Sequence, residues 1–398
     1  MKLVKLCFTL WLGTAIENVN GFTSKQPRHR ASTTTTTISA TTTTMADLTF
    51  QTPDVRGAGI QEQACIDAAE KMNRIAVPVP TEISPNGSVG ISYINWSPAK
   101  GAKKKSPPLI LIHGFDSSGL EYRRLGPKLA AKGIDTYAVD ILGWGFTQYD
   151  GVTSFSAGSK VKALESFIET MFGENAAFCI AGASLGGAAA IELAAVKQDT
   201  CAGLILIDAQ GFVDGVGPMA KLPTPLAKLG VGVLRSVPLR NSANQMSYYD
   251  KATFATEEAQ VIGRLHCLRD GWTEAMVSFM QSGGFMPSTK IPLINSPSLV
   301  LWGRQDGILE GKEYANLFVD TLPNARLQWI EECGHVPHLE QPEVTAEAIT
   351  NFLESEAQVV QSTGFALSTQ DSNPTYIVGA GFLGALALSE LINLLPAQ

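Results

Sequence analysis

Ser184 stands in Gly182-Ala183-Ser184-Leu185-Gly186-Gly187, directly after the apolar run Phe178–Ala181 and directly before an Ala-rich stretch. A Gly-x-Ser-x-Gly motif between a strand and a helix lifts a serine hydroxyl out of a very tight turn, because only small neighbours let strand and helix approach that closely. Such a hydroxyl becomes a nucleophile when a base takes its proton and an acid orients the base. The chain holds five His. His29 falls in the presequence, and His113 and His266 precede the region where the base is expected. His335, in Cys333-Gly334-His335-Val336-Pro337, is the expected base, with His338 as the alternative. Asp306, in Trp302-Gly303-Arg304-Gln305-Asp306, is the expected acid, giving the chain order Ser–Asp–His. Asp208, at the end of Leu204–Ile207, is the alternative acid. Negative charge developing on a substrate needs two backbone N–H donors. Leu185, which follows the nucleophile, supplies one. Phe115, in His113-Gly114-Phe115-Asp116, supplies the other, and His113 reads as structural.

These residues need a scaffold that brings distant loops together. Short, continuous apolar runs recur at Leu109–Ile112, Thr136–Val139, Phe178–Ala181, Leu204–Ile207, Leu299–Trp302 and Leu327–Ile330. Such runs suit strands of a parallel sheet buried on both faces. Helical patterns alternate with them at Tyr122–Lys132, Ser156–Met171, Ala188–Val196, Gly311–Thr321 and Glu343–Ser355, predicting a mostly parallel α/β sheet with helices on both faces. Ile75–Pro80 and Val89–Trp96 read as a hairpin around Pro85-Asn86-Gly87, preceded by a helix over Ile60–Met72. Residues 211–297 are too long for one crossover. They read as a helical lid with helices at Leu226–Leu234, Thr256–Leu268 and Trp272–Gln281. Its Leu222, Leu226, Leu229, Val233, Phe279, Met280, Phe285 and Met286 offer apolar surface either to a substrate or to the core. Trp272 and His266 receive no role.

The 398 residues are 45% hydrophobic and 17% charged, ordinary for a globular chain. A net charge of −7 argues against a nucleic-acid surface. The six Cys are scattered, without a C-x-x-C or a His–Cys cluster, so neither a disulfide framework nor structural zinc is expected. Residues 1–21, with Lys2 and Lys5 before the apolar run Leu6–Ile16, read as a signal peptide. Residues 22–45 are basic, Ser/Thr-rich and free of acids, like a transit peptide. The tandem, with Phe22 at the junction, resembles the bipartite presequence of algae with complex plastids; ordinary secretion is the alternative. Residues 46–356 form the expected catalytic domain. A polar linker, 357–374, leads to the apolar segment 375–398. Within it Tyr376–Leu395 is long enough as a helix to span a bilayer core of about 30 Å, suggesting membrane association.

In order along the chain, His113-Gly114-Phe115, Asp140-x-x-Gly143-x-Gly145, Gly182-x-Ser184-x-Gly186, Trp302-x-x-x-Asp306 and Gly334-His335-x-Pro337 resemble the α/β-hydrolase family, in its abhydrolase-1 branch. The resemblance covers about Ile75–Ser355. Within the branch, Leu111–Gly145 and Gly263-Arg264-Leu265-His266-Cys267 are similar to plastid hydrolases of plants and algae. Chlorophyll-dephytylating relatives carry small Gly-rich residues after the H-G-F, where this chain has Asp116-Ser117-Ser118. Epoxide hydrolases and haloalkane dehalogenases of this fold use Asp where Ser184 stands. The resemblance implies an α/β-hydrolase fold and a serine esterase acting on a small hydrophobic or lipid ester. It implies no metal or organic cofactor. An acyltransferase with the same triad, or a non-catalytic binding module, are the alternatives.

Overall fold

The computed structural model describes Phe50 and residues 52–357. The segments 1–21, 22–45 and 375–398, and the linker beyond Ala357, lie outside the described residues. Eight strands form one sheet: β1 (Met72–Pro78), β2 (Ser88–Trp96), β3 (Leu109–Ile112), β4 (Thr136–Val139), β5 (Phe178–Ala183), β6 (Cys201–Ile207), β7 (Ser298–Gly303) and β8 (Ala325–Ile330). Their order is β1-β2-β4-β3-β5-β6-β7-β8. The β1–β2 and β2–β4 pairings are antiparallel and the rest are parallel. Six short apolar runs were expected as parallel strands, and all six lie in this sheet.

The helices are α1 (Gln63–Glu70), α2 (Leu125–Ala131), α3 (Ala157–Phe172), α4 (Leu185–Val196), α5 (Thr224–Leu234), α6 (Val237–Ser247), α7 (Lys251–Phe254), α8 (Glu257–Ile262), α9 (Trp272–Gln281), α10 (Gly311–Thr321), α11 (Pro337–Glu340) and α12 (Pro342–Ser355). Side chains alternate across a strand, and two apolar clusters divide accordingly. Ile110, Ile180, Leu204 and Val300 pack with α3, α4 and α10 on one face. Leu109, Ala181, Ile205 and Leu299 pack with α2 and α12 on the other. No described helix is long and apolar enough to cross a membrane.

Several boundaries differ from the sequence expectation. The helix expected over Ile60–Met72 is confined to α1, because Met72 already pairs with Ile94 in the sheet. Thr256–Leu268 breaks into α8 and a 3₁₀ turn at His266–Leu268. The connection from β6 to β7 is helical, as expected, but its apolar residues divide between two environments. Phe279, Met280 and Phe285 are buried in the core, whereas Leu226, Leu229, Val233 and Met286 face solvent.

Candidate active site

Ser184 occupies the turn between β5 and α4 with φ 51° and ψ −123°, a backbone conformation that a side chain rarely adopts. The turn is held by Ser184 N–H donating to the Ile207 carbonyl (3.0 Å) and by Gln210 N–H donating to the Ser184 carbonyl (2.8 Å). A Cβ at Gly186 would lie 2.3 Å from the Ile112 carbonyl oxygen, so only glycine lets α4 start this close to β3. Leu185 is the first residue of α4. Its N–H has no acceptor within the helix and lies at the positive end of the helix dipole.

Asp306 and His335 arrive from loops after β7 and β8. His335 Nδ1 lies 2.8 Å from Asp306 Oδ2. The other Asp306 oxygen accepts from Ile308 N–H (2.7 Å) and Leu309 N–H (3.1 Å), which fixes the carboxylate. With Nδ1–H directed at Asp306, Nε2 is the ring atom that can take up a proton. His335 is tied to the β6–β7 connection by its N–H, which donates to the Ser247 carbonyl (2.8 Å). Two glycines permit this crowding. A Cβ at Gly303 would lie 1.9 Å from the Gly334 carbonyl oxygen, and one at Gly334 would lie 2.4 Å from that of Ser247.

Ser184, Phe115, Ser247, Ile308 and Leu309 line one pocket at this edge of the sheet. The pocket is therefore walled by the residues whose backbone groups hold Asp306 and His335. Phe115 is backed edge-on by Trp144 (5.5 Å between ring centroids), and Trp144 in turn by Phe279 (5.0 Å). Arg240 and Ala243, on the same face of α6 as Ser247, also line the pocket.

Asp208, the alternative acid, lies at the end of β6 and does not take the imidazole nitrogen that Asp306 holds. Its Oδ1 accepts from Gly303 N–H at 2.9 Å. Complete burial and the adjacent Asp306 push its pKa well above the carboxylate range, which favours its neutral form. Asp208, Asp306 and His335 are also the one converging set of potential metal ligands among the described residues. Both Asp306 oxygens in this set are already engaged, one by His335 Nδ1 and the other by the Ile308 and Leu309 N–H groups. His338, the alternative base, is directed elsewhere: its Nε2 lies 2.9 Å from Glu121 Oε1. His113 Nε2 accepts from Ile141 N–H (3.0 Å), joining the loops after β3 and β4. Burial lowers the His113 pKa, and the ring is neutral.

Two acids that sequence reasoning left without a role border the pocket. Glu121 accepts from Gly114 N–H (3.0 Å), beside Phe115. Burial opposes its ionisation, but the His338 hydrogen bond and charge outweigh that and hold its pKa down at about 2. Asp116, with φ 49°, is the knot between the loop after β3 and the β6–β7 connection. It takes His266 Nε2 at 2.8 Å, Trp272 Nε1 at 2.7 Å and the Arg240 guanidinium. His266 and Trp272 thereby acquire a role: they anchor the insertion. Burial would raise the Asp116 pKa, but Arg240 and His266 bring it from 3.8 down to about 2.

A depressed carboxylate pKa stabilises the fold above the unfolded value, and that contribution is lost as pH falls through the folded one. Asp116→Asn, which strands Arg240, is expected to destabilise the protein by about 3 kcal/mol at neutral pH. The gap in Tm between wild type and variant should close as pH falls from about 4 to about 2. A gap independent of pH in thermal denaturation would contradict the ionised knot.

The sequence profile of the alpha/beta hydrolase family matches residues 109–348. The chain belongs to that family. It is 34% identical over 279 residues to the alpha/beta hydrolase domain-containing protein VTE7 of Arabidopsis thaliana, covering 70% of this chain and 83% of that one. It is 22% identical over 264 residues to the monoacylglycerol lipase ABHD6 of Homo sapiens, covering 64% and 78% respectively. Among solved structures, a thermophilic esterase from Thermogutta terrifontis shares the fold with a TM-score of 0.57 at 21% identity, over 73% of this chain and all of that one (100%). The expected α/β-hydrolase fold is therefore present, and relatives of this α/β hydrolase include a plant protein.

Proposed function

We propose that this α/β hydrolase is a serine esterase, with Ser184 as nucleophile, His335 as base and Asp306 as the acid that orients it. The observation that carries the reading is the His335–Asp306 pair at 2.8 Å, set at the sheet edge where a strained Ser184 enters the pocket. Ser184 Oγ attacks the acyl carbonyl carbon as its proton passes to His335 Nε2. Asp306 stabilises the resulting imidazolium. The Leu185 and Phe115 N–H groups receive the oxyanion. One such donor is worth about 2.7–4 kcal/mol in the transition state. Collapse breaks the ester C–O bond, and the His335 proton leaves with the alcohol. Water then attacks the acyl-serine, giving up its proton to His335; the second collapse breaks the bond between the acyl carbon and Ser184 Oγ, His335 returns the proton to Oγ, and the acid departs.

The substrate reading is a hydrophobic ester, supported by Phe115, Ile308 and Leu309 on the pocket wall. The larger apolar residues of the insertion, which could have met either substrate or core, do not line this pocket. The test is hydrolysis of an acyl-ester series of increasing chain length, in water and with a primary alcohol added. Rates should rise with chain length and the product should be the free acid. Preference for acetyl esters would contradict the substrate class. Accumulation of the transferred ester at the expense of acid would make the protein an acyltransferase.

A further inference from the structure

We infer that α5 and the first turn of α6 form a docking surface for an anionic lipid bilayer. Leu226, Leu229 and Val233 recur along one side of α5 and are 54%, 68% and 51% exposed; Val237, opening α6, is 48% exposed. The opposite side of α5 is seated by buried Ala227 and Val231. The helix is thus packed through one face and carries a second apolar face with no covering element among the described residues. Single exposed leucines are ordinary on protein surfaces, but a row on one element marks an interaction site.

The charge around this row identifies the partner. From residue 215 to residue 249 there is no Asp or Glu, while Lys221, Lys228, Arg235 and Arg240 are present, in a chain of net charge −7. Arg240 is taken up by Asp116, Lys228 pairs with Glu274, and the Arg235 guanidinium lies 6.0 Å from the Trp272 ring centroid, while Lys221, Lys228 and Arg235 all remain exposed. An exposed apolar helix face within an acid-free, cationic stretch is the pattern of a helix lying in a membrane interface, where anionic head groups attract the cations. A second copy docked stripe to stripe would instead bring these like charges together. Val237 also stands one turn before Arg240 on α6, so the surface runs to the rim of the pocket that holds Ser184. This surface does not depend on the catalytic reading.

The experiment is co-sedimentation of the full-length chain with vesicles of phosphatidylcholine alone or mixed equally with phosphatidylglycerol. Binding is expected to the mixed vesicles and to weaken at high salt. Leu229→Glu/Val233→Glu should reduce it about tenfold or more without changing Tm, since both positions are exposed. Lys221→Glu/Arg235→Glu, which leaves the stripe intact, should weaken binding to the mixed vesicles. Val196→Glu, 58% exposed on α4, should change nothing. Absence of vesicle binding overturns the inference. So does binding that the stripe variant leaves intact, which would place the contact on another segment. Lipid-free self-association abolished by the stripe variant would make a second copy the occupant and equally overturn it.

Discussion

Ser184→Ala is expected to lower kcat for ester hydrolysis by about 10⁴–10⁶-fold while leaving Tm within a few degrees of wild type. The loss is large because the remaining parts cannot substitute for an absent nucleophile: the imidazole has no hydroxyl to activate and the oxyanion donors act only on bound substrate. The fold should tolerate the change. The bonds that hold the turn run through the Ser184 backbone N–H and carbonyl, which alanine retains. Hydrolysis rate and thermal denaturation on the same preparation separate the two effects. Residual turnover within about a hundredfold of wild type would assign the nucleophile elsewhere.

The second large effect distinguishes the two strand-end acids. Asp306→Asn should cost about 10⁴-fold in kcat, because an amide nitrogen facing His335 Nδ1 favours the wrong tautomer and cannot stabilise the imidazolium. Asp208→Asn should cost less than about tenfold, since burial and Asp306 favour the neutral form of Asp208 and an amide oxygen can still accept from Gly303 N–H. Parallel kinetics on the two variants provide the check. Equal losses would mean that Asp208 carries charge in the catalytic cycle.

Much of this geometry is readable in the sequence because local rules specify it. The glycines around Ser184 are demanded by the close approach of β3, β5 and α4, and a motif records that demand. The parallel strands are short apolar runs because both sheet faces are covered. Asp306 is the acid the sequence favours, but Asp208 also follows an apolar strand, and what each carboxyl meets, His335 Nδ1 for Asp306 and Gly303 N–H for Asp208, is visible only in the fold. The Asp116 knot was illegible for another reason. Its partners Arg240, His266 and Trp272 lie 124, 150 and 156 residues away, so no local pattern connects them. The helix α6 is hard to read from VPLRNSANQMS because its apolar positions are few and at most partly buried, and one of its faces meets the pocket rather than the core. The apolar residues of the lid are marked by hydrophobicity alone, which does not say whether a side chain packs inward, faces the pocket or faces solvent.

The central claim is that the His335–Asp306 pair activates Ser184. The most direct measurement is peptide mapping by mass spectrometry after treating the wild type and Ser184→Ala proteins with a fluorophosphonate, together with the labelling rate of His335→Ala. One adduct is expected, on the peptide containing Ser184. It should be absent from Ser184→Ala and form at least about a hundredfold more slowly in His335→Ala. An adduct on another residue, or labelling as fast without His335 as with it, would contradict the activation of Ser184 by this pair.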